Sequence, residues 1–171
     1  MPKTRLDRTD RRILDLLQRE GRISNAELAG RVNLSPSPCL RRVQRLESSG
    51  VITGYAAQVD PHAVGLGLAA IVRVQLLSHT SDAVARFADS VRGWPEVVAC
   101  YALTGEMDYL LEVQVEDLDH FSAFVMEKLL NSAGVADVNS SFVLQTVKRT
   151  RVLPIAEHDQ KVKASTTRRR R

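Results

Sequence analysis

The stretch "SPSPCLRRVQRLESSG", residues 35–50, sets two prolines ahead of a basic run with helical spacing. Proline breaks a helix interior but is tolerated in the first turn, where the N–H groups have no intrahelical acceptor. With Ser35 as N-cap, Pro36 and Pro38 take the first and third helical positions, and Ser35 can cap only the Ser37 amide. With Ser37 as N-cap, Pro38 comes first and Pro36 stiffens the turn. Both arrangements fit the sequence, and both give a rigid helix start. Gly50 stops the helix. At about 100° per residue, Cys39, Leu40, Val43 and Leu46 form one apolar stripe, and Ser37, Pro38, Arg41, Gln44 and Arg45 lie on the opposite side. Arginine pairs bidentately with guanine and glutamine with adenine, so this face is a candidate reader of base edges. Arg42, on the flank, suits a phosphate, and Ser35 at the mouth of the helix joins the candidate DNA-contacting set.

The segments around this helix fit that role. "LDRTDRRILDLLQREG" reads as a first helix capped by Asp7, with Ile13, Leu16 and Leu17 on one face and Gly21 at its end. "ISNAELAGRV" reads as a short second helix, with Ser24 and Glu27 in the spacing of a capping box. "VITGYAAQVD", residues 51–60, has Gly54 between two short β-prone runs and predicts a small hairpin or wing. Three short helices and a wing make a winged helix-turn-helix, with the third helix aimed at the major groove of double-stranded DNA.

Beyond Asp60-Pro61 the period changes. Strand candidates at 66–77, 96–105, 108–116 and 134–147 alternate with helices at 80–93 and 117–131, and Glu106-Met107 reads as a hairpin turn. The order βαββαβ is the ferredoxin-like split βαβ pattern, which makes the chain α+β. Two helices cover one face of such a sheet. The other is expected to be apolar and to be covered by a second copy of the chain. The expected domains are residues 1–60, residues 61–153 and a basic, disordered tail at 154–171.

Charge follows the same division. Residues 1–55 carry a net +5, residues 56–147 a net −8 and residues 148–171 a net +7, summing to the overall +4. A basic head fits a polyanion, and an acidic body does not lie flat on one. Cys39 and Cys100 form neither a disulfide framework nor a metal-spaced set, and no nucleophile–base pair or phosphate-cradling loop is present. His62, His79, His120 and His158 are scattered and read as surface or turn residues. No metal, no cofactor and no enzymatic activity are expected. No apolar run reaches membrane-spanning length, so no membrane partner is expected either.

The run from Leu6 to Tyr55 resembles the head of the Lrp/AsnC (leucine-responsive/asparagine-synthase) transcriptional regulators. "CYALTGEMDYLLEV" and "SSFVLQTVKRT" resemble the ligand-binding half of the same family, the RAM domain. The resemblance covers residues 5–153. It implies a cytoplasmic, nucleoid-associated bacterial or archaeal regulator that forms dimers and then tetramers or octamers. It also implies an amino-acid effector bound between RAM domains. By resemblance Gly105 is the close-approach position, Asp108 the partner of the effector's ammonium and Tyr109 a member of the same loop. Thr104, Ser140 and Ser141 are further hydrogen-bonding candidates. The alternative is an effector-independent protein that wraps and organises DNA.

Overall fold

The computed structural model describes residues 5–155. These fall in two compact units, one made of residues 5–57 and 149–155, the other of residues 58–148. The expected boundary gave residues 149–153 to the second domain. They pack with the head because the Gln18 amide grips the Leu153 main chain, accepting from its N–H at 2.6 Å and donating to its carbonyl at 3.3 Å. Ile155 adds an apolar contact to the head core.

The head holds three helices, α1 (Arg8–Arg19), α2 (Asn25–Arg31) and α3 (Pro36–Ser48). Asp7 caps α1 in a reciprocal box: its carboxylate accepts from the Asp10 amide and the Asp10 carboxylate accepts from the Asp7 amide. Ser24 caps α2 through the Glu27 amide. The turn into α3 is a Schellman ending. Asn33 takes a left-handed φ of 56°, and the Asn33 and Leu34 amides bond the carbonyls of Gly30 and Ala29. The same geometry ends α3. Gly50 has φ 72°, and the Gly50 and Val51 amides return to Glu47 and Leu46. Cys39, Leu46, Ile13, Leu28 and Ala29 close the core between the helices.

The structure chooses between the two arrangements left open for α3 and changes the expectation for the segment after it. Ser35 is the N-cap of α3, with Pro36 at the first position, and its side chain makes no capping bond. Pro38 removes the third-position amide that it would serve, and the Ser37 amide stays uncapped. Residues 51–60 form no paired hairpin among the described residues. They run on as an extended wing, held at its root by the Val51 and Ile52 amides on the Leu46 carbonyl and further along by Tyr55 on Glu47.

The second unit contains β1 (Leu68–Leu76), α4 (Ser81–Arg92), β2 (Val97–Ala102), β3 (Tyr109–Val115), α5 (Leu118–Ala123) and β4 (Val135–Phe142). A π-helical stretch, Phe124–Leu129, continues α5. The antiparallel sheet has the order β2-β3-β1-β4, as the split βαβ pattern predicts. Ala70, Val72, Val74 and Leu76 of β1 and Tyr109, Leu111, Val113 and Val115 of β3 are buried beneath Phe87, Phe121 and Phe124 of the helical layer. Trp94 stands edge-on to both Phe87 and Phe124. The other face of the sheet differs from expectation. The register places Arg73, Gln75, Glu112, Asn139 and Ser141 there beside Ile71 and Leu110, so it is mixed rather than apolar.

Candidate DNA-recognition and effector sites

The outward face of α3 divides its arginines. Arg42 Nη1 lies 2.6 Å from Asp7 Oδ2 and 2.8 Å from Asp10 Oδ1, and Arg45 Nη2 lies 2.5 Å from Asp10 Oδ2. Asp10 is fully buried, so two guanidiniums from the third helix converge on one carboxylate from the first. Burial pushes the Asp7 carboxyl up, but the Asp10 amide and the Arg42 guanidinium outweigh it and hold the pKa below its ordinary value. The same bonds raise the pKa of Arg42.

Arg41 is different. It is exposed and forms no ion pair among the described residues. Gln44 and Ser37 are exposed beside it, and Pro38 is half-buried. Leu40, expected in the apolar stripe, is 44 % exposed, because the buried stripe centres on Cys39 and Leu46. Burial raises the Cys39 thiol pKa, which fits a packing role. Elsewhere in the head Arg19 pairs with Asp15 and Arg31 with Glu20, so much of the positive charge there is already answered.

The second site lies at the end of the β2–β3 connection. The turn is longer than Glu106-Met107: the Leu103 amide donates to the Asp108 carbonyl at 2.8 Å and closes it. Gly105 stands on this turn with φ 120°, a conformation that favours glycine, and the space where a Cβ would go is open. Thr104 is exposed next to it. The Asp108 amide donates to the Val74 carbonyl at 2.9 Å, and Asp108 Oδ2 accepts from the Leu76 amide at 2.7 Å. Asp108 Oδ1 lies 2.7 Å from His79 Nε2. The Leu76 amide holds the Asp108 carboxyl below its usual pKa, and the His79 contact adds to the effect.

Not every residue named for this site meets here. Tyr109 is a core residue, its ring centroid 4.7 Å from that of Phe87. Ser140 and Ser141 stand opposite Val72 and Ile71, on opposite faces of the sheet. Val72 lies four residues from Leu76, roughly 13 Å along the strand, so one chain does not bring these serines to Asp108. Two residues were missed in the sequence. Asp10 drew no reading of its own, and His79 read as a surface or turn residue. No spacing rule joins His79 to Asp108, because the antiparallel pairing of β1 with β3 brings them together.

This geometry, a helix-turn-helix head with an exposed arginine on its third helix and a ferredoxin-like unit with a polar turn, is that of a ligand-responsive DNA-binding regulator. The comparisons agree. Residues 6–53 match a winged helix-turn-helix DNA-binding family, and residues 69–153 match the Lrp/AsnC ligand binding domain. The DNA-binding transcriptional activator DecR of Escherichia coli (strain K12) is 42 % identical over 151 residues, covering 88 % of this chain and 99 % of its own. The leucine-responsive regulatory protein of Klebsiella pneumoniae is 41 % identical over 154 residues, covering 90 % and 94 %. Among solved structures, a Neisseria meningitidis transcriptional regulator in complex with L-Met has a TM-score of 0.85 at 52 % identity, covering 88 % of this chain and 97 % of that one. The chain belongs to the Lrp/AsnC family of transcriptional regulators.

Proposed function

We propose that the protein binds specific double-stranded DNA through α3 and that a small amino acid, bound at the Gly105–Asp108 turn, modulates that binding. The observation that carries the first half is the division of α3: Arg42 and Arg45 are held by Asp10, while Arg41 stands exposed beside Gln44 with no ion pair among the described residues. Arg41 and Gln44 are the base readers in this reading. Arg42 and Arg45 hold the helix and offer their remaining N–H groups to phosphate, as Ser35 and Ser37 do at its entrance. The effector half rests on the ligand-binding family match and on the relative that is complexed with L-Met. A ligand-binding match speaks for an effector-gated regulator over an effector-independent DNA wrapper. Because one chain separates Ser140 and Ser141 from Asp108, the site in this reading forms between two copies, whose sheets meet through the mixed face. A cytoplasmic, nucleoid-associated setting goes with this role.

The test is a selection of DNA duplexes by the wild-type protein, followed by titration of the selected duplex with variants. Arg41→Ala is expected to weaken it about ten- to a hundredfold, the range for one lost bidentate base contact. Unchanged affinity would remove Arg41 from the reading face. A melting-temperature screen of the twenty amino acids, with DNA binding measured for each hit, tests the effector half.

A further inference from the structure

Within the chain, the carboxylate assigned to the effector's ammonium already has two partners of different kinds. The Leu76 amide belongs to the last residue of β1, which pairs with Val135 of β4, and is neutral. The His79 imidazole stands in the loop between β1 and α4, and its side chain is 68 % exposed against 18 % for Asp108. The amide helps to place the carboxylate. The imidazole is free to leave.

We propose that His79 is a specificity-determining residue of the effector site, its imidazolium occupying on Asp108 the place that a ligand ammonium takes. This rests on the reading of Asp108 as the ammonium acceptor. Histidine is the side-chain type whose charge changes between pH 5 and 8. His79 Nε2 lies 2.7 Å from Asp108 Oδ1, where an imidazolium would answer the Asp108 charge. An arriving ammonium competes with the imidazolium for the same oxygen, and an imidazolium displaced from the carboxylate holds its proton less tightly. The charge stays balanced, with one cation leaving as another enters.

The other ionisable groups on the surrounding segments do not take over this role. Glu106 on the turn is acidic, and Asp82 in the first turn of α4 is bound to Arg86. Asp137 on β4 stands opposite Gln75. The loop at 131–134, which meets Leu77 through the Gly134 carbonyl, carries no charged residue. His79 is the ionisable basic side chain that the described residues place on Asp108.

The consequence is a coupling between proton and effector. Amino-acid affinity rises with pH across the imidazole range, and each binding event releases a fraction of a proton. The expected size is about two- to fivefold, the worth of an exposed ion pair.

The experiment is isothermal titration of the full chain with the twenty amino acids, L-methionine first, at pH 6 and pH 8. Buffers of differing ionisation heat report the proton. Wild type is expected to bind more tightly at pH 8 and to release protons at pH 6. His79→Gln is expected to bind equally at both pH values and to release none, and Asp108→Asn to lose most affinity at both. If His79→Gln keeps the wild-type pH slope while Asp108→Asn abolishes binding, the His79 proposal fails and the Asp108 reading stands. If Asp108→Asn binds as wild type does, or if wild type binds no amino acid, the reading beneath it fails as well.

Discussion

The head and the effector unit both tie down the charged groups nominated as functional, but they do so in opposite ways. In the head, Arg42 and Arg45 meet Asp10, which has no solvent exposure. In the effector unit, Asp108 meets an exposed imidazole. A buried carboxylate with two guanidiniums cannot easily change partners, because separation leaves an unpaired charge in a low dielectric. An exposed His–Asp pair exchanges at little cost. In the proposed reading, one kind of ion pair builds the DNA-reading surface and the other leaves its carboxylate open to a ligand.

The sharpest way to break this contrast is at Asp10. Asp10→Ala is expected to destabilise the head by about 3–5 kcal/mol, as for a buried pair losing one partner. Denaturant unfolding followed in the head checks this, and a loss under about 1 kcal/mol would make the Asp10 cluster an ordinary surface pair. Next in size is Gly105→Ala. Its positive φ sets an expected cost of about 1–3 kcal/mol in the effector unit, read from the same unfolding curves. Little change would mean that the turn relaxes readily.

Acid sharpens the comparison further. The folded pKa of Asp7 lies below its unfolded value, so its contribution is full at neutral pH. That contribution is lost as the pH falls below about 4 and through the lowered folded value. Asp108 follows the same sign in its own unit. Both units are therefore expected to lose stability below about pH 4, and Asp7→Asn to remove part of the head's acid sensitivity. Melting temperatures between pH 3 and 7 measure it. The smallest effect is expected at Gln18→Ala, which frees Leu153 from the head. A fall in melting temperature of a few degrees at most is expected, with the fold kept.

Much of the architecture was legible in the residues. Local rules placed the caps at Asp7 and Ser24, the stop at Gly50 and the order βαββαβ, because each depends on neighbours within a turn or on period-two alternation. The wing was legible, but its form was not. Gly54 between β-prone runs favours a hairpin, but the extended segment finds its anchors on α3 instead. The site was legible in part. A wheel drawn on one helix shows that Arg41 and Arg45 share a side. It does not show that a carboxylate 35 residues earlier reaches Arg45 and not Arg41. Asp108 was nominated by resemblance, whereas its contact with His79, 29 residues away, is visible only once β1 and β3 are paired.

The central claim is that α3 splits its arginines between reading DNA and holding the head. The most direct measurement compares Arg41→Ala with Arg45→Ala on one selected duplex, with the melting temperature of each variant recorded alongside. Arg41→Ala is predicted to lose DNA affinity about ten- to a hundredfold at wild-type stability, while Arg45→Ala lowers the melting temperature of the head. The reverse pattern, with Arg41→Ala unstable and Arg45→Ala stable but unable to bind, would contradict it.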